Sequence, residues 1–168
     1  SKYWFRAVIP PVLVCAAADR AAATVAPGHL RLDTDASGIP HLLAADDPAI
    51  GQAAADGDAL LEGLFAQHLD PVVALLAACS GLAPRVFWSN AGNVVAWYLD
   101  NLRTPPATAA GAARLSARWS DAERHPRFAG TNPLYMPHAA PAGDDGPTAR
   151  RRRICCARYL SDDCGLCE

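Results

Sequence analysis

Apolar positions along the chain recur mostly at helical spacing. Leu60, Leu61, Leu64, Phe65 and Leu69 repeat every three or four residues, the mark of a helix with one buried face, and Asp58 stands where an N-cap is needed. Pro71 suits the first turn of a helix and predicts a new one, with Val72, Val73, Leu75 and Leu76 turned inward and Ser80-Gly81 as its end. A fourth helix is predicted over residues 85–102, closed by Pro105 and Pro106, and a fifth over about 110–124, ahead of Pro126. At the front of the chain, residues 1–25 form an Ala-rich helical stretch that Pro10 and Pro11 are expected to interrupt.

The period changes to that of a strand in one place. Leu30-Arg31-Leu32-Asp33 and residues 39–43 flank a turn containing Gly38, which predicts a small β-hairpin near 30–43 with Pro40 on an edge strand. Residues 46–57 are small, polar and turn-like. Beyond residue 127 the chain fills with Gly130, Pro133, Pro137, Pro141, Gly143, Gly146 and Pro147, so irregular structure is expected there. The pattern therefore predicts an α+β fold that is predominantly helical. A mostly helical domain with one hairpin is expected over 1–126, and a Gly/Pro-rich, cysteine-rich segment over 127–168, held together by whatever its cysteines bind.

Composition narrows this picture. With 168 residues, 51% hydrophobic and 19% charged, the chain can build a core and is not of the disordered class. A net charge of −2 gives no global drive towards nucleic acid or an anionic membrane surface. No apolar stretch approaches the roughly 20 residues that span a bilayer, so no stable membrane insertion is expected. Lys2 and Arg6 ahead of an apolar run imitate a signal peptide, but Pro10 and Pro11 inside that run speak against one. The sole methionine is Met136, which makes a fragment of a longer protein, or a processed end, the expected origin of Ser1.

The cysteines carry the candidate chemistry. Cys15 and Cys79 stand alone in apolar segments, where a thiol is expected as a small buried hydrophobe. Cys155, Cys156, Cys164 and Cys167 crowd into the last fourteen residues, which is the layout of a ligand cluster in a reducing, cytoplasmic compartment. Cys-x2-Cys is a common chelate spacing, and Gly165 eases the turn it needs. Four thiolates hold either tetrahedral zinc or an iron–sulfur cluster. Neighbouring side chains on extended backbone diverge, so the vicinal pair Cys155–Cys156 reaches a [2Fe–2S] cluster more easily than a single zinc. Structural zinc stays open as the alternative, as does a disulfide between Cys164 and Cys167 or a strained vicinal one.

Other residue groups are weaker. Arg150, Arg151, Arg152, Arg153 and Arg158 are candidates for steering an anionic substrate or an acidic redox partner, or equally a solvated loop that offsets four thiolates. Trp88, Asn90, Asn93, Trp97 and Tyr98 are candidates for a substrate surface, with Trp97 and Tyr98 expected first as core residues of the fourth helix. His29, His41, His68, His125 and His138 show no metal-ligand spacing and are expected at surfaces or turns, His68 and His138 being the two to compare with the cysteines. The pairs Asp46–Asp47, Asp144–Asp145 and Asp162–Asp163 read as solvated loop charges. No phosphate loop or dinucleotide fingerprint occurs, so electrons for any redox step are expected from a separate donor.

With these residues in view, the chain resembles the FhuF-type ferric-siderophore reductases, which end in a Cys-Cys-x(n)-Cys-x2-Cys segment that binds a [2Fe–2S] cluster. Ser1-Lys2-Tyr3-Trp4 resembles the opening of the family's middle region, and Trp88-Ser89-Asn90-Ala91-Gly92-Asn93 its Trp-x-Asn helix segment. Gly130-Thr131-Asn132-Pro133-Leu134-Tyr135, followed by the arginine run and Cys155–Cys156, is similar to its C-terminal approach. Two features depart from the pattern: only seven residues separate Cys156 from Cys164, and the family's further N-terminal region is missing. The resemblance implies a reductase that passes one electron from a [2Fe–2S] cluster on Cys155, Cys156, Cys164 and Cys167 to siderophore-bound Fe(III). Hard anionic oxygens hold Fe(III) far better than Fe(II), so that electron releases the iron. No catalytic group beyond the cluster ligands is then needed. The implied partners are a ferric siderophore and an external donor such as a ferredoxin or a flavin reductase. Two alternatives come from other classes: a binding module stapled by a four-cysteine zinc site, and an iron–sulfur redox sensor.

Overall fold

The computed structural model describes residues 2–20, 30–36, 38, 40–45, 56–120 and 123–135. Within them the chain is predominantly helical. Helix α1 (Lys2–Ala17) is followed by strands β1 (Leu30–Thr34) and β2 (Pro40–Ala45), then by α2 (Gly57–Leu64), α3 (Asp70–Ser80), α4 (Pro84–Leu102) and α5 (Ala109–Leu115). Two π-helical turns interleave with these: Phe65–Leu69 joins α2 to α3, and Ser116–Ser120 extends α5.

Helix α1 is the centre of the core. Phe5, Val8, Ile9, Val12, Leu13 and Ala16 lie on one side at helical spacing and are buried, and the helix packs on α2, α4 and α5. Each large apolar side chain removed from water there contributes about 1.5–3 kcal/mol. Contrary to expectation, Pro10 and Pro11 do not interrupt α1. Each lacks an N–H and so leaves the carbonyl four residues earlier without its helical donor. Pro10 itself is buried, and burial of this face holds the helix together across the lost bonds. The helix also ends at Ala17, well before residue 25.

The cap of α2 is Asp56, whose side chain accepts from the Ala59 N–H at 2.7 Å; Asp58, the predicted cap, lies in the first turn. Pro71 does not open a separate helix. The π-turn, in which the Asp70 N–H reaches back to the Phe65 carbonyl, carries the helical path into α3 without a break. The result is a helical run over Gly57–Ser80, 24 residues long, which by length and composition alone is enough to cross a membrane. This corrects the expectation that no stretch approaches that length. The same run buries Leu61, Leu64, Phe65, His68 and Leu69 in the protein's core. At its far end Gly81, at φ +69°, caps α3 with its N–H on the Ala77 carbonyl, as Ser80-Gly81 predicts. Val73 is buried and Val72 and Leu76 lean on the core, whereas Leu75, expected inside, is 63% exposed.

Helix α4 follows its predicted span within one residue. Beyond it, Thr108 Oγ1 donates to the Leu102 carbonyl at 2.7 Å, tying the turn that holds Pro105 and Pro106 to the helix end. The fifth helical segment runs from Ala109 to Ser120 and stops short of residue 124. Strands β1 and β2 pair antiparallel, with Leu32 opposite Leu43 and Thr34 opposite Pro40, and an irregularity at Asp33/Thr34. Pro40 stands in a two-stranded sheet, where every strand is an edge.

Candidate functional site

The two non-cysteine motifs singled out in the sequence meet in space. Residues 123–135 form a strap after α5. Arg124 bridges Thr131, the Asn132 N–H donates to the Glu123 carbonyl at 2.9 Å, and the Phe128 N–H to the His125 carbonyl at 3.0 Å. Asn132 is the organiser: it is buried, its Nδ2 donates to the Trp119 carbonyl at 2.7 Å, and its Oδ1 accepts from the Leu134 N–H at 3.0 Å. An Asn before a proline makes this kind of side-chain-to-backbone turn. The fold delivers Leu134 onto α4 at Gly92. A Cβ there would stand 3.1 Å from both the Leu134 Cα and its carbonyl oxygen, so glycine permits the contact. Gly92 of the Trp88–Asn93 segment thus carries the Gly130–Tyr135 segment.

Under the strap lies a nest of rings. Trp119 stacks on Phe65 at 4.8 Å and on His125 at 4.1 Å between centroids, and Phe128 meets both Phe65 and Trp88 edge-on at about 6 Å. Trp119 is buried, and its indole N–H donates to Asp58 Oδ1 at 2.8 Å. Asp58 also takes Arg114 at 3.1 Å and Arg118 at 3.4 Å. Its place in the first turn of α2 suits a carboxylate, since the helix N-terminus is the positive end of the dipole. Arg127 closes the nest from the strap side. Its guanidinium spans Glu62 of α2 and Asp70 of α3, staples both flanks of the π-turn, and lies 5.9 Å from the Phe65 and Phe128 ring centres.

Several predicted residues land elsewhere than expected. Trp88 is half-buried in the nest and Asn90 is buried, so neither offers an open surface. Asn93 and Tyr98 are half-buried, whereas Trp97 is 54% exposed with its ring edge-to-face on Tyr98, which corrects its expected place in the core. His68 is fully buried, not at a surface, and its Nε2 accepts from the Trp4 indole N–H at 2.7 Å. His125 lies in a turn but is buried as well. Its N–H-accepting Nδ1 takes the Arg127 backbone N–H at 3.2 Å, and burial holds its pKa below the ordinary 6.5. Cys79 is exposed in the last turn of α3, not buried, and Cys15 is half-buried beside the core. Sequence reasoning missed Arg127 and Trp119, and had Asn132 only as part of the Gly130–Tyr135 likeness. The Asn-Pro dipeptide signals the turn at Asn132, but nothing local marks Arg127, whose partners lie 65 and 57 positions away.

Cys155, Cys156, Cys164 and Cys167, the arginines Arg150, Arg151, Arg152, Arg153 and Arg158, and the side chains of His29, His41 and His138 lie outside the described residues. Among the described residues no group of three or more His, Cys, Asp or Glu side chains stands together to hold a metal ion. The four thiols near the end of the sequence are a further set of candidate donors. A four-thiol set fits a [2Fe–2S] cluster by its chemistry.

The family described as "Ferric iron reductase FhuF-like transporter" matches residues 1–145. A ferric siderophore reductase of Escherichia coli (strain K12) is 24% identical over 180 aligned positions, covering 99% of this chain. The chain spans 63% of that relative's length. The family match ends ten residues before Cys155, at residue 145, so it rests on the helical body and the strap and not on the cysteines.

Proposed function

The chain belongs to the FhuF-like ferric iron reductase family, and on that premise we propose that it reduces siderophore-bound Fe(III) to Fe(II) by one-electron transfer, with Cys155, Cys156, Cys164 and Cys167 holding a [2Fe–2S] cluster. The observation that carries this reading is the conjunction of two independent signals. One is a family match over the body, and the other is a four-cysteine cluster motif that lies beyond it.

A bound [2Fe–2S] centre would supply the transfer of single electrons, and plant-type centres do so near roughly −400 mV. One electron from an external donor, a ferredoxin or a flavin reductase, converts the substrate's Fe(III) to Fe(II). The siderophore's anionic oxygens then hold the metal weakly and release it. The step moves one electron, and the substrate need gain or lose no proton from the protein. The chain's own contribution is positional and electrostatic. Arg127 and Asn132 fix the strap that leads on in sequence towards the cysteines. Arg150, Arg151, Arg152, Arg153 and Arg158 supply positive charge beside the thiolates in sequence, suited to drawing in an anionic ferric complex.

The test is a reduction assay. Under anaerobic conditions the dithionite-reduced, desalted protein is mixed with ferric hydroxamate and ferric catecholate complexes, and Fe(II) is trapped by a colorimetric chelator. Fe(II) appearing in proportion to the electrons held by the protein supports the proposal. A reduced protein that leaves every ferric complex intact overturns it.

A further inference from the structure

His125 is a buried imidazole placed so that adding a proton at Nδ1 breaks a hydrogen bond within the strap. Its ring is 5% exposed and lies face-on against Trp119, with the Phe128 ring beyond it at 5.9 Å. Nδ1 is occupied as an acceptor by the Arg127 backbone N–H, so the neutral ring carries its proton on Nε2. Nε2 is buried and makes no hydrogen bond among the described residues. A second proton would have to enter at Nδ1, where it would face the Arg127 N–H donor to donor. The imidazolium would also be dry.

We propose that His125 is a proton-operated latch: its neutral ring holds the strap of residues 123–135 against α2 and the end of α5, and one proton taken from solvent onto Nδ1 releases it. The charged groups around the ring are mixed. Asp58 and Glu62 of α2 favour the imidazolium, while Arg118 of the π-turn after α5 and Arg127 of the strap oppose it; burial and the two arginines prevail, and the pKa falls. The packed strap therefore binds fewer protons than the released one. Its holding free energy is fully present above the free-imidazole value of about 6.5 and is lost progressively as pH falls from there towards the lowered pKa. The strap is the last described segment before the cysteines in sequence. This inference does not depend on what the cysteines bind, because every group in the latch belongs to the described body.

Hydrogen–deuterium exchange of the full chain as isolated, normalised to intrinsic rates, tests the latch between about pH 7.5 and about pH 5. The amides of Arg127, Phe128, Asn132 and Tyr135, all bonded within the strap, are the reporters. Their protection is expected to fall by up to about tenfold per pH unit below 6.5, the slope of a one-proton equilibrium, while α4 stays protected. His125→Asn keeps an acceptor for the Arg127 N–H and does not titrate, so its strap protection is expected to be flat. Wild-type protection that does not change with pH, or the same slope in His125→Asn, overturns the proposal. If that variant does not fold, ring titration of the wild type decides by NMR. A His125 ring titrating below 6.5 in step with the Arg127 amide upholds the latch, and a ring that titrates while that amide stays still overturns it.

Discussion

Trp119 shows how much one residue joins. Its ring separates Phe65 from His125, its indole N–H meets Asp58, and its carbonyl receives Asn132. None of this is legible in the sequence, where Trp119 is one more apolar position of the fifth helix. The partners at Asp58 are 61 positions away, and single-sequence periodicity reports which face is buried, not what it meets. The second buried tryptophan–polar pair, Trp4 with His68, makes the same point and yields a measurable consequence. Trp4→Phe keeps the stacked ring but withdraws the donor from a fully buried acceptor. A lost partner of this kind costs about 1–3 kcal/mol, so the thermal midpoint should fall by several degrees in calorimetry. A midpoint unchanged within error would mean that the indole N–H contributes nothing net.

At the scale of elements, the helical period located α2, α3, α4 and α5, placed the end of α3 and the span of α4, and misplaced the α2–α3 join and the end of α5. Pro71 and the Pro10–Pro11 pair read as breaks because an isolated helix loses a hydrogen bond and gains a clash at each proline. In the fold a π-turn precedes Pro71, and core packing spans the pair in α1, so tertiary burial overrides local preference. Close contacts at glycine were equally hidden. The C-terminal carbonyls of α1 press against two other helices at positions without side chains: a Cβ on Gly57 would stand 2.3 Å from the Ala16 oxygen, and one on Gly111 2.1 Å from the Ala17 oxygen. Gly63, within α2, has open space instead. Gly111→Ala should therefore cost about 1–3 kcal/mol by forcing α5 off α1. Gly63→Ala should gain roughly 0.5–1 kcal/mol from helix propensity. Urea unfolding of the two variants beside the wild type checks the opposite signs; two losses of similar size would contradict the packing described for α1 and α5.

On the scale of the whole molecule, the body and the proposed chemistry come from different parts of the chain. The body is a helical core around α1 with a strap laid over an aromatic nest, and its family membership rests on residues 1–145. The proposed chemistry rests on Cys155, Cys156, Cys164 and Cys167, whose grouping was the most legible candidate signal in the sequence because ligand spacing is local. The geometry that joins Gly92 to Leu134 was not legible, because it depends on two segments about forty positions apart in the chain. Their meeting gives physical content to two motifs that the sequence presents only as a likeness.

The central claim is that the four cysteines hold a [2Fe–2S] cluster, and an anaerobic visible absorption spectrum with iron, sulfide and zinc analysis, before and after dithionite, tests it most directly. About two irons and two sulfides per chain are expected, with charge-transfer bands that bleach on reduction. A colourless protein carrying one zinc, and still colourless after anaerobic cluster reconstitution, would contradict the claim.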